Sequence, residues 1–257
     1  QPEKLDGELK EWAELRVKNG RKRPYHVPYW QIGNETFVFW DEVKKQFGKQ
    51  AEDRFVELTK AYVAAIRKVQ PNAKILADGL NSNLNTRLRR ELGPGIDFVV
   101  EHWYRPWDIR KVERDGTAVP IESLSAQDVW LAWSSPVKKK KKGEATLFNH
   151  SIRERGHGYP VAITEWNWNG WWALPPSEKA PMNSDWAKGL GAASLVHAML
   201  RASSVRLACQ SMLVGRSWGI TGVHVDRDGK RDPWLMPTGQ VTEFIGRYHA
   251  GQRRVQL

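Results

Sequence analysis

The stretch VPYWQIGNE, residues 27–35, decides the fold. Its β-branched and aromatic residues run up to Ile32, and Gly33-Asn34 then breaks the pattern, which predicts a buried strand over Val27 to Gly33 delivering Glu35 at its carboxyl end. Beyond it, Phe55, Leu58, Tyr62, Ala65, Ile66 and Val69 recur at three-and-four spacing and predict an amphipathic helix from Ala51 to Val69, closed by Pro71. Further short apolar runs at Lys74 to Ala77, Ile96 to His102, Val161 to Thr164 and Val205 to Val214 read as strands buried on both faces. Helical patterns fall between them at Asn85 to Leu92, Ser125 to Ala132, Ala145 to Arg155 and Ser184 to Ala202. Alternation of this kind predicts an α/β fold with a parallel sheet. Arg105 to Gly143, which holds KKKKKG, is too long and polar for an ordinary connection and is expected to leave the core as an excursion.

With 257 residues and 40% hydrophobic content the chain can bury a sizeable core, as one large α/β domain or two small ones. Its 14 Trp exceed the needs of a core, because each buried indole N–H must find an acceptor, and so point to an exposed stacking surface. The formal charge of +11 is scattered over Lys44-Lys45, Arg87 to Arg90, Lys138 to Lys142 and Arg253-Arg254. Without the interleaved aromatics of a single-strand groove, it reads as solvated loops and helix faces rather than a nucleic-acid partner. A lone Cys209 excludes an intrachain disulfide, and the 7 His form no cluster at metal-ligand spacing, so no metal is expected. No apolar run approaches the roughly 18 residues needed to span a bilayer, so no membrane partner is expected. The sequence opens at Gln1 rather than Met and leaves the compartment undetermined.

Two carboxylates share one context: Glu35 ends WQIGNE and Glu165 sits in VAITEWNW, each at the end of an apolar strand and followed by aromatics. A single Glu at a strand end is more often a solvated charge, but two in matched places are harder to dismiss. In parallel α/β folds the carboxyl ends of strands face the functional crevice, so a sequence separation of 130 residues does not prevent the two from meeting. Such a pair suits hydrolysis of a glycosidic bond, in which one acid protonates the departing oxygen and a second carboxylate, about 5 to 5.5 Å away, attacks the anomeric carbon. Trp30, Phe37 and Phe39 are expected to shield the acid from water, and Tyr104 to donate a hydrogen bond to the nucleophile. WNWNGWW, from Trp166 to Trp172, reads as a loop whose rings are partly exposed for stacking on sugar, Trp166 among them. The carboxylate pair supplies acid, base and nucleophile unaided, so no cofactor is implied.

The longer segment WAELRVKNGRKRPYHVPYWQIGNE, Trp12 to Glu35, closely resembles the acid/base region of family 51 glycoside hydrolases, chiefly α-L-arabinofuranosidases, and AITEWN resembles the nucleophile segment of the same clan. The resemblance implies a (β/α)8 TIM barrel with Glu35 as acid/base at the end of strand 4 and Glu165 as nucleophile at the end of strand 7. It also implies that Asn34 contacts a sugar hydroxyl, that His102 and Tyr104 of EHWY line the pocket with Tyr104 on the nucleophile, and that Gln210 and Trp218 touch the sugar. The residues around Gln210 depart from the usual pattern. Only 34 residues precede Glu35, whereas three βα units need roughly 75. The expectation is therefore an amino-terminally truncated barrel of strands 4 to 8 over 1–220. Residues 221–257 would hold the barrel end and the possible start of the family's accessory β-sandwich. An open edge of this kind calls for a covering chain or a homo-oligomer. The implied activity is removal of arabinofuranosyl groups from plant polysaccharides by a retaining mechanism. An endo-acting β-glucanase or xylanase, a non-catalytic carbohydrate-binding fragment and a polyanion binder remain as alternatives.

Overall fold

A computed structural model describes residues 5–79, 81–105, 111–114, 117–120, 158–168, 185–216 and 221–251. In chain order these form α1 (Gly7–Lys18), β1 (Tyr29–Ile32), α2 (Thr36–Phe47), α3 (Ala51–Val69), β2 (Lys74–Asp78), α4 (Ser82–Leu92), β3 (Phe98–Arg105), β4 (Lys111–Arg114), β5 (Thr117–Pro120), β6 (Val161–Trp168), α5 (Asp185–Arg201), β7 (Val205–Gln210), β8 (Val214–Gly215), β9 (Val223–His224), β10 (Trp234–Leu235) and α6 (Pro237–Tyr248). Five strands make the main sheet in the order β1-β2-β3-β6-β7, and every neighbouring pair is parallel. Chain order and spatial order agree, as they must where each strand is followed by a crossover that returns to the next position. The sheet is a curled part of a (β/α) barrel.

The alternation of side chains along each strand sorts the core into two layers. Toward the helices, Ala77 packs with Val56, Leu84, Leu88 and Ile96, and Ile75 with Ile32, Val63 and Ala73. Toward the inside of the curl, Leu76, Val100 and Ala162 pack together with Phe98 and Leu207 against them. Leu84 and Leu88 are fully buried, each contributing about 1.5–3 kcal/mol relative to exposure.

Local chemistry fixes the helices. Asn81 caps α4 by accepting from the Leu84 amide at 2.9 Å. α3 carries Glu52 and Asp53 in its first turn and Arg67 and Lys68 in its last, matching the helix dipole. Glu91 of α4 accepts from Arg87 Nε at 2.7 Å and from Lys60 Nζ of α3 at 3.0 Å, while Arg87 also reaches Asp53 at 2.6 Å. The Arg87 hydrogen bond, followed by that of Lys60, holds the Glu91 carboxyl down to about 2.

Several elements differ from the sequence expectations. β1 begins only at Tyr29, β3 runs on to Arg105 and β6 to Trp168, while β7 stops at Gln210. α1, α2 and α6 had no counterpart among the expected helices, whereas α3 spans the expected residues, Ala51–Val69. Within the excursion, β4 and β5 form an antiparallel hairpin. The helices expected at Ser125 to Ala132 and Ala145 to Arg155 lie outside the described residues. Residues 221–251 hold β9, β10 and α6. α6 begins in direct contact with the turn before β9: a Cβ on Gly239 would overlap the Gly222 carbonyl, and Thr238 Oγ1 donates to Thr221 O at 3.1 Å. Among the described residues no helix is long and apolar enough to cross a membrane.

Candidate active site

Glu35 leaves β1 through a tight turn. Gly33 has φ +84, and Glu35 itself, with φ 48 and ψ 39, occupies the left-handed region, which costs a residue with a Cβ roughly 1–2 kcal/mol. Such strain persists only where surrounding contacts hold it, and it is concentrated at functional sites. Here the turn aims the carboxylate across the end of β2 to β3, where Glu35 Oε1 lies 3.0 Å from His102 Nδ1.

Glu165 reaches the same place by another route. Between β3 and β6, Val100 faces Ala162 and Glu101 faces Ile163, but the next pair is His102 with Glu165, which leaves Thr164 as an extra residue on β6. Ala162 belongs to the inner layer, so an unbroken strand would point Thr164 inward and Glu165 at the helices. The bulge reverses that alternation and re-aims Glu165 to the side of His102 and Tyr104. Glu165 Oε2 is 3.6 Å from the same His102 Nδ1.

The His102 side chain is only 6% exposed, and both carboxylates that face its Nδ1 are acceptors, so an ionised Glu35 favours the tautomer that carries the proton there. Tyr104, two residues on and therefore on the same face, lies 2.6 Å from Glu165 Oε2 and 2.7 Å from Ser211 Oγ. A phenol has one proton; it goes to the carboxylate, and the Ser211 hydroxyl supplies its own to the phenol oxygen. Burial, reinforced by the hydrogen bond to Glu165, pushes the Tyr104 hydroxyl far above its ordinary range, so it remains a donor throughout the working pH of any protein. Asn167 Nδ2 donates to Ser211 O at 2.8 Å and fixes the turn after β7 that presents Ser211.

One atom each from Glu35, His102 and Glu165 lies within 4.8 Å of the others. This trio is also a set of ligands that a divalent cation could use, a feature hidden in the sequence because the three residues are far apart in the chain. As chemistry for two carboxylates, this proximity lets one act as an acid and the other as a nucleophile or base on a group held between them.

The remaining expected residues divide. Asn34 is exposed at the turn, its Oδ1 3.4 Å from Gln31 Nε2. Trp166 and Gln210 correct the reading that they touch sugar. They pair with each other across β6 and β7, one position out of phase with Glu165, and so face the helices. Trp166 is 4% exposed and lines a cavity of ≈ 380 Å³ with Met199 and Leu200 of α5 and Ile245 of α6. Gln210 Oε1 accepts from Thr242 Oγ1 of α6 at 2.5 Å. Trp218 lies outside the described residues, as do 169–172 of the Trp-rich run. Trp30, Phe37 and Phe39 do not shield Glu35: all three are exposed, and a polar group, His102, faces its carboxylate instead. Asp78, Asn167 and Ser211 were not singled out in the sequence. For Asp78 the available signal was its position as the last residue of an apolar parallel strand, the same place that marks the two glutamates.

Comparisons with known proteins give a likeness of family and fold. Residues 4–111 match the family model described as the α-L-arabinofuranosidase 1 domain. The chain is family 51-like. A probable α-L-arabinofuranosidase C of Aspergillus terreus is 31% identical over 107 residues, covering 36% of this chain and 20% of the relative, and α-L-arabinofuranosidase C of Emericella nidulans is 29% identical over 68 residues, covering 26% and 12%. Among solved structures, the thermostable family 51 α-L-arabinofuranosidase of Thermotoga petrophila superposes with a TM-score of 0.56 at 25% identity, over 92% of this chain and 43% of its own. The family 51 enzyme AbfB of Bifidobacterium longum gives 0.55 at 18% identity, over 92% and 47%, a likeness of fold alone. The chain thus spans a fifth or less of these curated relatives in the matched segments and under half of the structural neighbours.

Proposed function

We propose that this protein is a retaining glycoside hydrolase that removes α-L-arabinofuranosyl groups from plant polysaccharides. The observation that carries the reading is that Glu35 and Glu165, from strands separated by β2 and β3, converge within 3.6 Å of a single nitrogen of His102. In this mechanism Glu165, held by Tyr104, attacks the anomeric carbon while Glu35 gives its proton to the departing oxygen. Glu35 then takes a proton from the water that releases the sugar from Glu165. His102 stands between the two carboxylates and keeps them apart and oriented. Asn34, exposed beside Glu35, is placed to meet a sugar hydroxyl.

The five main strands would be strands 4 to 8 of an eight-stranded barrel, with further polypeptide covering the outer edge of β1. Two observations support this completion. β1 pairs with β2 alone among the described strands, and beside it runs an apolar groove of ≈ 900 Å³ lined by Trp30, Ile32, Val43, Phe47, Leu58 and Tyr62. An uncovered groove of this size is a surface that soluble proteins normally bury.

The test is turnover of an aryl α-L-arabinofuranoside by the natural full-length protein, with the anomer of the first product followed by NMR. Release of the retained anomer supports the reading. Inactivity on this substrate together with cleavage of β-glucan or xylan would assign an endo-acting enzyme. Sugar binding without cleavage of any of them would leave a carbohydrate-binding module.

A further inference from the structure

We propose that Asp78 is the positioning residue for Glu35, acting through the backbone of the turn and not on the substrate; the inference rests on the hydrolase reading of this site. Glu35 occupies the position before the first residue of α2 where a side chain ordinarily caps the free amides, yet it makes no cap there, because its carboxylate is directed to His102. The cap comes from the neighbouring strand. Asp78, the last residue of β2 and 4% exposed, accepts from the Thr36 amide at 2.7 Å through Oδ2. A buried carboxylate at the amino end of a helix is stabilised both by that hydrogen bond and by the helix dipole, so it locks the amide that directly follows Glu35.

The turn is closed against Asp78 from its other end as well. A Cβ on Gly33 would stand 3.0 Å from Asp78 Cβ and 3.1 Å from Thr36 Oγ1. Glu35 is therefore held between two residues that both contact Asp78, in a left-handed conformation that a non-glycine residue does not keep without support. One carboxylate thereby lets the capping position serve chemistry while the helix remains capped.

Asp78→Ala and Asp78→Asn are compared with the wild-type full-length protein on two substrates, methyl and 4-nitrophenyl α-L-arabinofuranoside. The methyl glycoside needs a proton from the acid to expel its alkoxide, whereas nitrophenolate leaves with little help. Misplacing the acid in Asp78→Ala should lower kcat/KM, which reports the step in which the leaving group departs, about 100-fold on the methyl glycoside and less than roughly tenfold on the nitrophenyl glycoside. Asp78→Asn, whose amide oxygen still accepts from Thr36, should recover most of the loss. Equal losses on both substrates, no loss, or an Asn variant as impaired as Ala would overturn the proposal. Hydrogen exchange at the Thr36 amide tests the tether without catalysis: it should accelerate in the Ala variant and stay slow in the Asn variant, and unchanged exchange in Ala would refute it. Wild-type protein that turns over neither substrate would refute the hydrolase reading, leaving the tether to be decided by the exchange result.

Discussion

On β1 the chain leaves a regular strand through two left-handed residues, Gly33 and Glu35, whereas on β6 the strand continues through Glu165 and an extra residue, Thr164, turns the side chain inward. The first device depends on a turn and on what braces it; the second depends on strand register. Glu35 should therefore be sensitive to substitutions that change the turn, and Glu165 to insertions and deletions that change the count. The two carboxylates share one partner, His102, but not one kind of fragility.

Deleting Thr164 gives the sharpest break in that comparison. The deletion restores simple alternation, points Glu165 at the helices, and should abolish turnover as completely as Glu165→Gln, a loss of about 10⁴-fold or more. Retained activity would mean that the bulge does not aim the nucleophile. Next in size, Tyr104→Phe removes the donor to Glu165 while keeping the ring; losing a hydrogen bond to a charged group should cost roughly 10- to 100-fold in kcat/KM. A Ser211→Ala variant should show a smaller loss in the same assay, because Ser211 reaches Glu165 only through Tyr104. On the other side, Gly33→Ala places a Cβ at φ +84 against Asp78, and should lower stability by about 1–2 kcal/mol in urea unfolding while reducing activity on substrates with poor leaving groups. A neutral result would show that the turn does not need its glycine.

The smallest expected effect lies outside the site and tests the α3–α4 packing beneath it. Glu91 is held at about 2, below its ordinary 4.5, so its contribution is fully present above about pH 4.5 and is lost as pH falls toward 2. Thermal unfolding of wild type and Glu91→Gln should differ modestly at neutral pH, converge as pH drops through that window, and differ less in high salt, since Arg87 and Lys60 face solvent in part.

Strand positions and the long helix were legible because their apolar spacing records burial: α3 was read over its observed residues, and the starts of β2, β6 and β7 fall where their apolar runs begin. α2 was not, since Phe37, Val38 and Phe39 stand together as an apolar run with no clean helical stripe, and all are exposed. Glu35, Glu165, His102 and Tyr104 were singled out in the sequence, and their side chains come within hydrogen-bonding or ion-pair distance of one another around His102 and Tyr104. Trp166 faces away from Glu165 for a reason the sequence hides: it shows neighbours along a strand but not a bulge, and the extra Thr164 exchanges the faces of the β6 residues after it. Asp78 escaped notice because its partner is a backbone amide 42 residues away, which leaves no trace in residue type.

The most direct test of the account is to trap the covalent intermediate with a slow 2-deoxy-2-fluoro arabinofuranoside and map the modified peptide by mass spectrometry. The account predicts one fluorinated pentosyl group on Glu165, absent from Glu165→Gln. A label on Glu35 or elsewhere, or active protein that never labels and releases sugar of inverted configuration, would contradict it.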